Sequence, residues 1–190
     1  TVNPSVVDFC NVQFPANGTI TQGSPFIVYA QVYEPWITPG AWQGAWITAE
    51  IGYFSADTTP DGTWTWLPTT HNPSQTGNND EYQANLGAGL APGTYYYASR
   101  FIKTGSSTYV YGGTAGNWNN NSGVLTINAL GTPTATAGTS VGVTSFTANW
   151  NAVTDATSYS DAYLHSLTMK YSPIIFLDAF CFLDCLIIPL

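Results

Sequence analysis

The stretch from residue 90 to 113, LAPGTYYYASRFIKTGSSTYVYGG, constrains the fold more than any other part of the chain. Ala91-Pro92-Gly93 is a turn signal, because proline pre-sets φ at the second turn position and glycine accepts a positive φ at the third. Tyr95 to Ile102 then runs on as an aromatic-rich strand. Lys103 to Ser107 is a polar turn, and Thr108 to Tyr111 leads back out to Gly112-Gly113. The pattern is a β-hairpin with large side chains on both faces, one face for a core and one for something else. It also carries Arg100 and Lys103, two of the three basic residues in the chain.

Other segments repeat this strand logic. In Phe26 to Glu34, the set Phe26, Val28, Ala30 and Val32 is the apolar one and should face the core, with Ile27, Tyr29, Gln31 and Tyr33 opposite. Residues 5–14, 45–54, 63–67, 81–86 and 123–128 are further short strands. Pro15 to Gly18 is read as a closing turn, and Ser55–Gly62, Thr69–Asn79 and Asn117–Asn121 as loops. About eight strands without helical periodicity predict an all-β, immunoglobulin-like β-sandwich over residues 1–128. The small, polar segment 129–140 reads as a linker, and residues 141–190 as a second, partial β unit with an apolar C-terminal tail.

Composition narrows the function classes. Charged residues are 7% of the chain, against about 25% in an average globular protein. Aromatic residues make up 15%, which argues for a packed core rather than disorder. The net charge of −8 leaves no basic patch, so nucleic acid is excluded as a partner. Thr1 opens no signal-peptide pattern, so a mature, processed chain is expected, secreted or displayed at the cell surface. The three cysteines, Cys10, Cys181 and Cys185, permit a Cys181–Cys185 bridge or a bridge from Cys10 to either. His71 and His165 are the only histidines, and no nucleophile elbow, phosphate-binding loop or metalloprotease motif is present. Glu34, Glu50 and the Asp80-Glu81 pair read as solvated or capping carboxylates, and a non-enzymatic role is expected.

At VDFCNVQFP (7–15), VYAQVYEP (28–35), QGA (43–45), IGY (51–53), WTWLP (64–68), GNNDEY (77–82), LAPGTYYYASRF (90–101), YVYGG (109–113) and SGVLTI (122–127), the chain resembles an uncharacterised β-sandwich module of secreted, multidomain bacterial proteins, chiefly of the Bacteroidetes type. PTATAGTSVGVTSFTANWNAVTDATSY (133–159) resembles the opening of a fibronectin type III domain, with Trp150 where that family has a buried tryptophan. These resemblances imply an extracellular, non-catalytic protein. Past Tyr159 the type III pattern stops. The domain is truncated and completed by a neighbouring chain, the tail is a frame-shifted sequence, or it is a divergent small domain.

Four sets of candidate site residues follow. Asn17 and Asn120 head N-glycosylation sequons, and Asp57-Thr58-Thr59 resembles the Asp-Thr-x O-glycosylation signal of Bacteroidetes-like organisms, with Thr58 as acceptor. Asp57, Asp61, Asp80 and Glu81 offer the hard oxygen ligands that calcium prefers, although Asx-turn chemistry explains them equally well. Trp36, Trp42, Trp46, Trp64, Trp66 and Trp118, with the tyrosines, read as an aromatic platform for carbohydrate rings, or as core residues of the sandwich, with Trp36 to Trp46, in a stretch broken by proline and glycine, as its exposed portion. The tail 173–190 is just long enough to span a bilayer, but Asp178 and Asp184 would each cost roughly 2.5–3.5 kcal/mol at its centre, so no span is expected. Added as a strand to the open sheet of another copy, such a tail would link identical chains head to tail into an open filament. The leading expectation is thus a self-assembling, glycosylated structural fibre, and the alternative a carbohydrate-binding or adhesion module.

Overall fold

The computed structural model describes residues 6–40, 42–73, 77–140 and 147–156, together with the backbone of 160–161 and 185–186. The chain divides into two units, Thr1–Ala129 and Leu130–Leu190. The strands of the first are β1 (Phe9–Phe14), β2 (Asn17–Thr21), β3 (Ile27–Tyr33), β4 (Ile47–Phe54), β5 (Thr65–Pro68), β6 (Thr70–His71), β7 (Asp80–Asn85), β8 (Gly93–Lys103), β9 (Val110–Gly113), β10 (Gly116–Asn117) and β11 (Gly123–Asn128). The second holds β12 (Ala135–Thr139), β13 (Thr147–Trp150), β14 (Ser160–Asp161) and β15 (Cys185–Leu186).

Two sheets form the first unit. One is antiparallel, in the order β1-β3-β7-β6. The other is built around β8, the organising hairpin strand. Its one edge takes β4 along Tyr96–Lys103, with β5 beyond it. Its other edge is shared by β11, opposite Gly93–Tyr97, and β9, opposite Ser99–Phe101. The expected hairpin is present, closed by a bond from Ser106 N–H to Lys103 O at 2.9 Å with Gly105 at φ 86°.

The two inner faces pack as a β-sandwich. Val28, Ala30 and Val32 are fully buried, as their alternation predicts, beside Cys10, Val12, Tyr82 and Ala84 of the same sheet. Ile47, Ala49, Ile51, Tyr97, Phe101, Leu125 and Ile127 meet them from the other. Edge-to-face contacts cross the interface, with Tyr82 and Phe101 at 5.9 Å and Phe26 and Tyr97 at 5.8 Å between ring centroids. The Tyr97 hydroxyl donates to Pro15 O at 2.7 Å, which satisfies the one polar atom that ring brings inward.

Asn17–Thr21 corrects the sequence reading. It is no turn but a strand that runs parallel to β11, from Asn17↔Val124 to Thr21↔Asn128. The chain leaves β1 in one sheet and, past the cis Phe14–Pro15 bond, joins the other as β2. Asn-Gly reads locally as a turn, and only the distant β11 supplies the partner that makes it a strand. His71, expected in a loop, lies in β6 against Tyr82 for the same reason.

The outer face of the second sheet carries its own packed layer. The register sets Trp66 opposite Gly52, and a Cβ at Gly52 would meet the Trp66 ring at 2.4 Å. Rings continue from Phe54 through Trp64, Trp66 and Tyr111 to Tyr109, each 5.7–6.5 Å from the next. The Arg100 guanidinium is held between Trp66 and Tyr109, 4.2 and 4.1 Å from their centroids, while Nε bonds Glu50 at 2.6 Å.

In the second unit, β12 and β13 pair antiparallel. Strand β12 thus lies inside the segment that composition marks as a linker. Trp150 is half-buried at the end of β13. Ser160-Asp161 pairs antiparallel with Cys185-Leu186. The remainder of the segment assigned to filament assembly, and Cys181, lie outside the described residues. Cys10 is a free, buried thiol.

Candidate functional site

Among the described residues, the exposed large apolar side chains are Phe14, Ile27 and three tryptophans of the connection between β3 and β4. Proline ends β3, because Pro35 has no N–H to give to the ladder. Glu34 O accepts from Ile37 N–H and Thr38 N–H, both at 3.1 Å. Pro35 is second in this turn and Trp36 third, with φ 66°, the φ pattern of a type II turn whose third position belongs to glycine. Trp46, at the far end of the connection, also has φ 66°. Two bulky residues therefore sit in the left-handed region, at a cost of about 1–2 kcal/mol each. Neither gains burial in return. Trp36 is 94% exposed, Trp46 70%, and Trp42 between them 85%.

Beneath the indoles the loop is held by buried polar groups. Thr38 is fully buried, and its hydroxyl donates to Asn78 O at 2.7 Å and accepts from Glu34 N–H at 3.0 Å. The Asp80 carboxylate accepts from Gly44 N–H at 2.6 Å. Burial raises the Asp80 pKa from its ordinary value; the Gly44 bond and the His71 charge oppose that rise. Lys103, from the end of β8, donates to the Glu34 carboxylate at 2.5 Å, and both side chains are buried. The other Glu34 oxygen accepts from Asp8 N–H at 3.2 Å. Trp46 O accepts from Thr104 N–H at 2.8 Å. Bonds thus hold this connection at Glu34, Thr38, Gly44 and Trp46.

Beside Trp42 the surface is shallowly concave, with room for about one water molecule, and is lined by Gly40, Trp42, His71, Pro73, Asn79, Asp80 and Glu81. Glu81 accepts from Asn72 Nδ2 at 2.6 Å and from Gln31 Nε2 at 3.3 Å. Gln43 Nε2 reaches the Tyr82 hydroxyl at 3.4 Å. The surface therefore pairs a flat indole with carboxylate, imidazole and amide groups. No family model and no curated protein matches the chain.

The other candidates are dispersed. Asp61 is an Asx-turn acceptor, bonded by Thr63 N–H at 2.7 Å and Thr63 Oγ1 at 2.6 Å, and these bonds hold its carboxyl below the usual range. Asp57 is exposed in the same loop, whereas Asp80 and Glu81 belong to β7. Among the described residues, no three His, Cys, Asp or Glu side chains gather around a common point. Asn17 is exposed on β2, and Asn120 is exposed in a turn with φ 52°. The Thr58 hydroxyl accepts from Trp64 Nε1 at 3.3 Å. Glu34 and Glu50 are both taken up in ion pairs. No helix among the described residues is long and apolar enough to cross a membrane.

The three tryptophans are exposed, as expected of a stretch broken by proline and glycine, but the sequence pattern does not show what holds the loop. Thr38, Gly44 and the Lys103–Glu34 pair went unassigned. One signal was present in the sequence: in so uncharged a chain, a glutamate directly before Pro35 and a lysine at the hairpin turn are both unusual.

Proposed function

We propose that the first unit is a carbohydrate-binding module acting outside the cell, with Trp36, Trp42 and Trp46 as its contact residues. The observation that carries this is the display of three tryptophans, 70–94% exposed, on a loop anchored by buried polar groups. Each indole offers on the order of 200 Å² of surface on which the apolar face of a ligand can stack. A pyranose has one face of C–H bonds and a rim of hydroxyls. An indole accepts the face, while the partly exposed His71 imidazole and Asn79 amide beside Trp42 bond the rim. Backbone strain at two of the three residues supports a functional origin, since packing gives nothing back for it.

Affinity electrophoresis of the whole chain in gels containing individual polysaccharides tests the proposal. Retardation by at least one polysaccharide is expected, weakened by Trp36→Ala, Trp42→Ala or Trp46→Ala. If all three variants migrate as the parent does, the loop is not the site.

A further inference from the structure

Resting on that reading, we infer that the tryptophan loop selects uncharged glycans and discriminates against glycans bearing carboxylate or sulfate groups. Residues 1–129 hold seven carboxylates, Asp8, Glu34, Glu50, Asp57, Asp61, Asp80 and Glu81, against two basic side chains, Arg100 and Lys103. Neither cation is available to a ligand. Lys103 is buried on Glu34, and Arg100 is held between two aromatic rings and bonded to Glu50. The third basic residue, Lys170, lies outside the described residues.

Recognition of a uronate or sulfate depends on charge-assisted bonds, most often from the arginine fork. The recess offers the opposite. Asp80 and Glu81 line it, with His71 as the one further titratable group. Asp80 and Glu81 already accept bonds from Gly44, Asn72 and Gln31, which holds them in place as fixed acceptors. Both residues are buried and these bonds occupy their side chains, so they act on a ligand through space: their charge repels a ligand anion and leaves a neutral sugar unpenalised. Repulsion from two carboxylates at about 7–8 Å in water amounts to roughly fivefold in affinity for each ligand carboxylate near the recess. The tryptophans supply stacking that is indifferent to charge, so polar neighbours decide selectivity.

The test compares a neutral polysaccharide panel with carboxymethylated derivatives of the same polymers, so that backbone geometry is constant. The whole chain is titrated at pH 8 in about 20 mM and then about 500 mM salt. The expected result is binding to at least one neutral polymer. Its carboxymethyl derivative should bind at least about fivefold more weakly at low salt, and the gap should narrow at high salt by screening. Equal affinity for both forms, with binding still lost in Trp42→Ala, overturns the charge selectivity and leaves the tryptophan site standing. Tighter binding of the carboxymethyl form overturns it as well. Absence of binding to every polymer overturns the carbohydrate reading, and the selectivity with it.

Discussion

Replacing Trp36 by glycine should make the protein more stable and less able to bind. At φ 66° a tryptophan carries about 1–2 kcal/mol of left-handed strain that glycine does not. Glycine costs about 0.5–1 kcal/mol through the greater freedom of the unfolded chain. At 94% exposure almost no burial is lost with the ring. The net is a gain of about 0.5–1 kcal/mol, and a similar gain is expected for Trp46→Gly. Trp36→Ala is the control, since it removes the same ring but keeps the strain, so its stability should stay close to the parent's. In a unit of this size about 1 kcal/mol moves Tm by roughly 3–6 °C, which scanning calorimetry resolves. Retardation by polysaccharide should fall in both variants. A Trp36→Gly protein that melts below Trp36→Ala would refute the strain argument. A glycine variant that binds as the parent does would refute the assignment of Trp36 to the site. Opposite signs for stability and binding are the mark of a residue kept for contact rather than for folding.

Other expectations follow from the same geometry. Lys103→Met should cost about 3–5 kcal/mol by leaving the Glu34 carboxylate buried without its cation, and adding Glu34→Gln should recover a large part; additive losses in urea unfolding would show the pair uncoupled. Gly52→Ala should cost about 1–3 kcal/mol, because the new methyl enters the Trp66 ring, and fluorescence from the stacked indoles should change with it. Burial pushes the Cys10 thiol up from 9.0 to about 12, so the native state keeps a proton that the unfolded chain releases. Stability must then fall as pH rises above 9, by about 1.4 kcal/mol per unit from this group, reaching on the order of 3 kcal/mol by pH 11. Cys10→Ala should flatten that slope between pH 9 and 10; an unchanged slope would place the lost proton elsewhere. The raised Asp80 pKa has the same sign at low pH, with stability falling as pH rises through and above about 4, and Asp80→Asn should abolish that segment of the profile.

Much of the sandwich was written in local pattern. The alternation of Val28, Ala30 and Val32 names the inner face of β3 because side chains of a strand point alternately to its two sides. The turn residues around the 90–113 hairpin mark its ends, since few backbones other than glycine accept their torsions. The exposed tryptophans were legible too, as aromatics stranded among residues that cannot continue a strand. Pairing was not legible. Asn17–Thr21 is a strand only because β11, more than a hundred residues on, lies parallel beside it. Gly52 is required only because Trp66 folds back across it. The loop that displays Trp36, Trp42 and Trp46 is held by Thr38, Asp80 and Lys103, which come from the loop itself, β7 and β8. Local sequence determines which residues prefer strands, turns and the interior. Charge pairing and buried hydrogen bonds depend on which distant segments meet, and only the tertiary structure decides that.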